Sequence, residues 1–199
     1  MCLDRGGLVG EDGVTHHGVF DMAAFGAVPG LTIAAPMNEP ELRNMMYTAL
    51  GSGHPFMIRY PRGHGEGLPW RGEKFETLPV GRGRRLREGA DVALLTVGTV
   101  GNAAARAAGR AAAEGVSVAH YDLRFVKPLD EALLDEVGRK FRRVVTVEDG
   151  SLRGGVGEAV AAFFNGRGYD VRVQRLGIGD EWVEHGTPGQ LYALCGYDE

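Results

Sequence analysis

Between Asp4 and Gly18 the chain sets charged side chains and two imidazoles among glycines: Asp4, Arg5, Glu11, Asp12, His16 and His17 alternate with Gly6, Gly7, Gly10 and Gly13. Such a glycine content implies a loop whose backbone takes positive φ or passes very close to another group. Asp12 stands one helical turn before His16, so the carboxylate can reach the imidazole and set its tautomer and proton affinity, the arrangement of a general acid or base. The same residues also fit a tight surface turn in which Asp12 caps the following helix, and composition does not separate the two readings. Neighbouring side chains such as His16 and His17 point apart in regular backbone, and no further Cys or His stands at ligand spacing. No metal site is therefore expected.

A second group is Arg59-Tyr60-Pro61-Arg62-Gly63, which ends an apolar run. Open α/β sheets collect ligands at the carboxyl ends of their strands, and the planar fork of arginine suits phosphate. Arg5 and Arg62 could converge on one phosphate, or both could be solvated surface arginines. Gly154-Gly155-Val156-Gly157 fits neither the dinucleotide fingerprint nor a phosphate loop with its Lys-Ser/Thr, so a turn and helix start is expected of it. Glu148-Asp149 and Glu184-His185 are read as structural pairs.

The elements that must position these residues follow from apolar periodicity. In the first third, a helix over residues 19–28, a strand at Leu31 to Ala35 closed by Pro36, a helix over residues 39–50 and a strand at residues 55–60 are expected. Residues 61–82 hold Pro61, Gly63, Gly65, Gly67, Pro69, Gly72, Pro79 and Gly81, which leaves no room for a regular element and marks an interdomain linker lying on the surface. Beyond it, strands at residues 91–97, 116–122, 144–147 and 171–176 alternate with helices at 102–114, 130–141, 157–165 and 188–194. Such lengths suit right-handed crossovers onto a mainly parallel sheet. The expected class is α/β, with domains at residues 1–82 and 83–199.

A net charge of -4 and pI near 5.9 lack the dense basic face that nucleic acid or an anionic membrane would reward. Cys2 and Cys195 stand at opposite ends with neither zinc nor disulfide spacing, and a reduced, cytoplasmic protein is expected. No run approaches the roughly 18 apolar residues of a membrane span. Met1 is followed at once by a polar, glycine-rich segment, so the chain reads as though it begins within a domain.

Asp4 to Gly18 with Phe20-Asp21, Leu31 to Pro36, and Ile58-Arg-Tyr-Pro-Arg-Gly63 follow one another with the order and spacing of the 1-deoxy-D-xylulose-5-phosphate synthase family, which the chain resembles over essentially its whole length. Arg124-Phe-Val-Lys-Pro-Leu-Asp130, Val145-Thr-Val-Glu-Asp149, Gly154 to Gly157, Leu176-Gly-Ile-Gly-Asp180 and Glu184-His185-Gly186 continue the likeness. The resemblance implies a transketolase-like build: the latter part of a pyrimidine-binding domain with its linker at residues 1–82, then a largely structural, interface-forming C-terminal domain at 83–199. It implies an enzyme that joins pyruvate to glyceraldehyde 3-phosphate with loss of carbon dioxide, feeding isoprenoid, thiamine and pyridoxal biosynthesis, with thiamine diphosphate and magnesium as cofactors. Carried over by position, His16 donates a hydrogen bond and shuttles a proton at the reacting centre, Asp12 orients or assists it, and Arg5 and Arg62 hold the aldehyde's phosphate. A homodimer is implied for the complete enzyme.

The chain departs from the pattern at Gly6, where alanine is common, and at Gly179, where proline is usual. More is missing than changed. The Gly-Asp-Gly motif that holds magnesium and the diphosphate does not occur, nor does the upstream glutamate that activates the aminopyrimidine, so no residue here is assigned to cofactor or metal. The expectation is a portion of the synthase, inactive without its N-terminal domains. Two other readings stand beside it: a β-subunit-like part of a 2-oxo-acid dehydrogenase, and a non-catalytic assembly or regulatory module.

Overall fold

A computed structural model describes residues 1–198. Two sheets form it. In the first, β1 (Cys2–Leu3), β2 (Thr32–Ala34) and β3 (Phe56–Arg59) run parallel in the order β1-β3-β2. In the second, β5 (Val92–Val97), β6 (Val118–Asp122), β8 (Arg143–Ser151) and β9 (Arg172–Ile178) run parallel, with β4 (Arg84–Arg87) antiparallel at the edge beside β6, giving the order β4-β6-β5-β8-β9.

The helices sit close to their expected places, and local chemistry sets their ends. α1 (Asp21–Gly26) follows the glycine loop. α2 (Glu39–Gly51) starts at Asn38, whose side chain accepts the Glu41 amide at 3.1 Å, with Pro40 in its first turn; both are standard start signals. α3 (Val100–Ala113) lays Gly101, Ala104 and Ala108 against the second sheet. A Cβ at Gly101 would come within 2.9 Å of Thr96 Oγ1, so small residues bring this helix close to the strands. α4 (Glu131–Lys140) is capped by Asp130, α5 (Val156–Gly166) begins after Gly155, and α6 (Pro188–Leu194) is closed by a capping box between Thr187 and Gln190.

Three strands lie outside those expected from sequence: the short β1, the edge strand β4, and one that links the two sheets. After β6 the chain turns at Arg124, a non-glycine residue at φ 59°, and β7 (Phe125–Lys127) crosses to pair antiparallel with β2 of the first sheet. Positive φ is costly for arginine, and its surroundings hold it there. The Arg124 amide donates to Asp122 Oδ1 at 3.0 Å, its carbonyl accepts the Ala35 amide at 2.9 Å, and its guanidinium makes two 2.9 Å bonds to the buried Glu41. Arg84 joins from β4, bonding Glu41 at 2.9 Å and Asp122 at 3.1 Å. Two arginines and two buried carboxylates therefore weld the sheets together.

The hydrophobic cores cross the halves as well. Met22 and Ala35 pack in one cluster with Leu95, Tyr121, Phe141 and Phe164, and Leu8 and Val19 pack in another with Leu94, Val147 and Leu191. Residues between β3 and β4 form no helix or strand, and they lie along α2 as a strap. Glu39 accepts the Gly67 amide at 2.7 Å, Thr48 accepts the Leu78 amide at 2.8 Å, and Arg43 bonds the Glu73 and Lys74 carbonyls while covering the Phe75 ring.

Candidate functional site

The loop of residues 6–18 is closed at its neck by two main-chain bonds: the Gly7 amide donates to the Gly18 carbonyl and the Gly18 amide to the Gly7 carbonyl, each at 2.9 Å. Gly7 has φ 78°, and a Cβ there would fall 1.7 Å from Asp149 Oδ2, so only glycine fits. Arg59, at the end of β3 and 4% exposed, braces the neck. Its Nε pairs with Asp21 at 2.7 Å, and its Nη2 donates to the carbonyls of Gly18 at 3.3 Å and Asp149 at 2.9 Å.

Within the loop a short 3-10 turn, Gly10–Asp12, presents Asp12. Asp12 caps no helix. Its Oδ2 accepts from Arg5 at 2.9 Å and from Arg62, which comes from 50 residues away in sequence. The two guanidinium groups thus meet on a carboxylate of the loop itself. The Arg62 bond, with the charges of Arg62, Arg5 and His16 behind it, holds the Asp12 carboxyl below its ordinary range. His16 is exposed beside this cluster. Its Nδ1 lies 2.9 Å from Thr15 Oγ1, and among the described bonds none joins it to Asp12, so the expected Asp12–His16 contact is one of charge and not of hydrogen bonding. Arg5, Asp12 and Arg62 form one cluster, and His16 is near enough to act on Asp12 by charge.

Beside Arg62 a cleft of about 720 Å³ opens between the first sheet's loops and the second half, lined among others by Leu8, Asn38, Asn102, Tyr192 and Tyr197. The two histidines separate as adjacent side chains should. His17 turns inward while His16 faces out. Among the described residues no group of three or more His, Cys, Asp or Glu is placed to hold a metal ion, and both cysteines are free.

The other motifs take structural positions. Glu148 is buried in β8 and accepts the Val156 and Gly157 amides, each at 2.8 Å, so Gly154 to Gly157 is a helix start closed on a carboxylate. Burial pushes the Glu148 carboxyl up, opposed by those two amides. Asp149, also buried, accepts the Leu8 amide at 3.2 Å and the Tyr197 hydroxyl at 2.8 Å; burial pushes its carboxyl up against the charge of Arg59. The expected strand ended at Val147 because two acids looked like an exit. The structure extends it through both, since each has buried partners. Sequence reasoning set Arg59 and Asp21 within motifs without the bracing role they take, and it did not single out Tyr197; their partners are distant in sequence.

Comparison with known proteins places this geometry in context. Residues 1–66 match the model for the transketolase pyrimidine binding domain, and residues 81–199 match that for the transketolase C-terminal domain. Over its whole length the chain is 57% identical to 1-deoxy-D-xylulose-5-phosphate synthase of Bacteroides fragilis and 56% identical to that of Bacteroides thetaiotaomicron, and it spans 31% of each. Among solved structures it is similar to a chain described as a split gene transketolase, inactive beta4 tetramer, at a TM-score of 0.80 and 28% identity, covering 93% of this chain and 58% of that one. Among the described residues no helix is long and apolar enough to cross a membrane.

Proposed function

The chain belongs to the transketolase family, and from that premise we propose that it is the part of a 1-deoxy-D-xylulose-5-phosphate synthase that receives glyceraldehyde 3-phosphate and handles the proton at its carbonyl. The complete enzyme condenses pyruvate with that aldehyde, releasing carbon dioxide. The observation that carries the reading is the meeting of Arg5 and Arg62 on Asp12 with His16 alongside, supported by 57% identity to a synthase over the whole chain. An incoming phosphate would take the place of the Asp12 carboxylate between the guanidinium groups, which bind a phosphate more strongly than an exposed carboxylate. Asp12, released, would then stand near His16 and help to orient it. His16 would donate to the aldehyde oxygen as charge develops there.

Thiamine diphosphate supplies the carbanion in such enzymes. The described residues do not fit its magnesium and diphosphate: they contain no metal-holding cluster, and the sequence contains no Gly-Asp-Gly motif. No residue of this chain is assigned to them. In this reading residues 1–82 and 83–199 form the two domains, the protein is cytoplasmic, the complete enzyme is a magnesium-dependent homodimer serving isoprenoid, thiamine and pyridoxal biosynthesis, and the 199 residues are inactive without the remaining length of the relatives. The likeness to a split gene transketolase chain supports a second arrangement, in which a separate polypeptide supplies that remainder.

The test is a steady-state assay of Arg62→Ala in the full-length protein or reconstituted pair. KM for glyceraldehyde 3-phosphate should rise by about tenfold or more, as expected for loss of a charge-assisted phosphate contact, while KM for pyruvate stays within about twofold. An unchanged aldehyde KM removes the phosphate assignment.

A further inference from the structure

We propose that His17 is a positioning residue for the reactive loop, held neutral with its proton on Nε2, and that through it the C-terminal half of the chain sets the geometry of Asp12 and His16. The inference rests on the functional reading above and deepens it.

Donors and acceptors around the ring fix its tautomer. The Val9 amide lies 3.1 Å from His17 Nδ1, and His17 Nε2 lies 3.1 Å from the Val183 carbonyl. An amide N–H can only donate and a carbonyl can only accept. Nδ1 must therefore be the bare nitrogen and Nε2 the protonated one, so both bonds exist only in one tautomer of the neutral ring. Protonation of Nδ1 would set two donors against each other.

The staple joins the rising limb of the loop to a segment that lies beyond every strand of the second sheet. That segment touches the loop again where the Gly186 amide points to the Gly10 carbonyl at 3.4 Å. It then enters α6, and just past that helix the Tyr197 hydroxyl donates to Asp149 Oδ1, the acid that accepts the Leu8 amide. Leu8 and Gly10 are thus bonded directly from the C-terminal half, and Val9 between them is tied to it through His17, at the entry to the turn that carries Asp12. On the other limb, His16 is the residue adjacent to the staple itself. Movement of His17 therefore displaces both groups assigned to the proton.

His17 touches no substrate in this account, so the test needs a readout that general loss of stability would not give. In the full-length protein, His17→Ala should lower kcat/KM for glyceraldehyde 3-phosphate by about tenfold to a hundredfold, the usual result of a small misplacement at a reacting centre. KM for pyruvate should stay within about twofold. His17→Gln keeps one acceptor and one donor on a flat group and should recover most of the loss, which a variant of equal bulk but no acceptor, His17→Leu, should not. In parallel, hydrogen exchange on the same proteins should show the Val9 amide losing protection in His17→Ala and His17→Leu and regaining it in His17→Gln. Unchanged kcat/KM in His17→Ala, or equal Val9 exchange in all four proteins, overturns the positioning role. If the wild-type protein makes no 1-deoxy-D-xylulose 5-phosphate, the synthase reading fails instead, and the exchange comparison alone decides whether His17 holds the loop.

Discussion

Replacing His120 by glutamine should remove about 2 kcal/mol of acid sensitivity from the fold, and the number follows from where the imidazole sits. His120 is in β6, 1% exposed, with Nε2 at 2.9 Å from Thr96 Oγ1. Burial, helped by the charge of Arg84, pushes its pKa from an ordinary 6.5 down to about 4. Well above 6.5 the ring is neutral whether the chain is folded or not, and the group contributes no pH dependence. Between 6.5 and 4 the unfolded chain takes up a proton that the folded chain refuses, so stability falls as pH falls. Moving from about pH 7.5 to about pH 5, linkage gives a loss of about 2 kcal/mol from this one group. Asp122, two residues along the same strand, acts in the opposite sense. Burial raises it from 3.8 to about 6, so the folded chain binds its proton more tightly, and the same pH step should add about 1.4 kcal/mol of stability. Wild type should therefore show a shallow profile that conceals two steep ones. His120→Gln keeps a partner for Thr96, cannot titrate, and should expose the Asp122 contribution, becoming more stable on acidification relative to wild type. Urea unfolding followed by circular dichroism at both pH values, with the slope against urea checked for constancy, gives the difference directly. A wild-type minus variant difference that stays the same at both pH values refutes the reasoning.

Gly7→Ala should cost at least about 2 kcal/mol, since it places a methyl on Asp149 at an unfavourable φ; a melting temperature unchanged by the substitution would contradict the packing described for the neck. Arg124→Ala should cost about 2–4 kcal/mol because it strips two bonds from a buried carboxylate, with Arg84 left as partial compensation, and urea unfolding measures it. Glu148→Gln should cost about 1–2 kcal/mol, one of two amide bonds at the start of α5 being lost, and Val156 or Gly157 should then exchange faster. Asp12→Asn removes the carboxylate that competes for Arg5 and Arg62, so inorganic phosphate should bind about two- to fivefold more tightly by calorimetry, the scale of exposed ion pairs.

Much of this architecture was legible because it is local. The alternation of apolar strands with helices is written in periodicity, and α2, α4 and α6 begin within a residue of their expected starts at 39, 130 and 188. What escaped was set by partners far away in the chain. Arg84-Arg-Leu-Arg87 carries too much charge to look like a strand, yet it is one, because Asp122 and Glu41 wait across from it and the sheet edge leaves the rest in water. Phe125-Val-Lys127 is too short to signal its pairing with β2. At the site, the convergence of Arg5 and Arg62 could be anticipated from residue type, but its focus on Asp12 could not. The inward role of His17 was also hidden, since nothing about the pair His16-His17 says which ring faces the protein.

The crossing of β7 into the first sheet has a consequence for synthesis on the ribosome. The amino-terminal sheet needs residues 125–127 to gain its fourth strand, and these are translated only after the strap and three strands of the second sheet have been made. At about 5–20 residues per second, β2 waits several seconds with its outer hydrogen-bonding groups unsatisfied, long enough for a chaperone or a neighbouring nascent chain to occupy them. Completion of the first sheet thus waits on synthesis of most of the second.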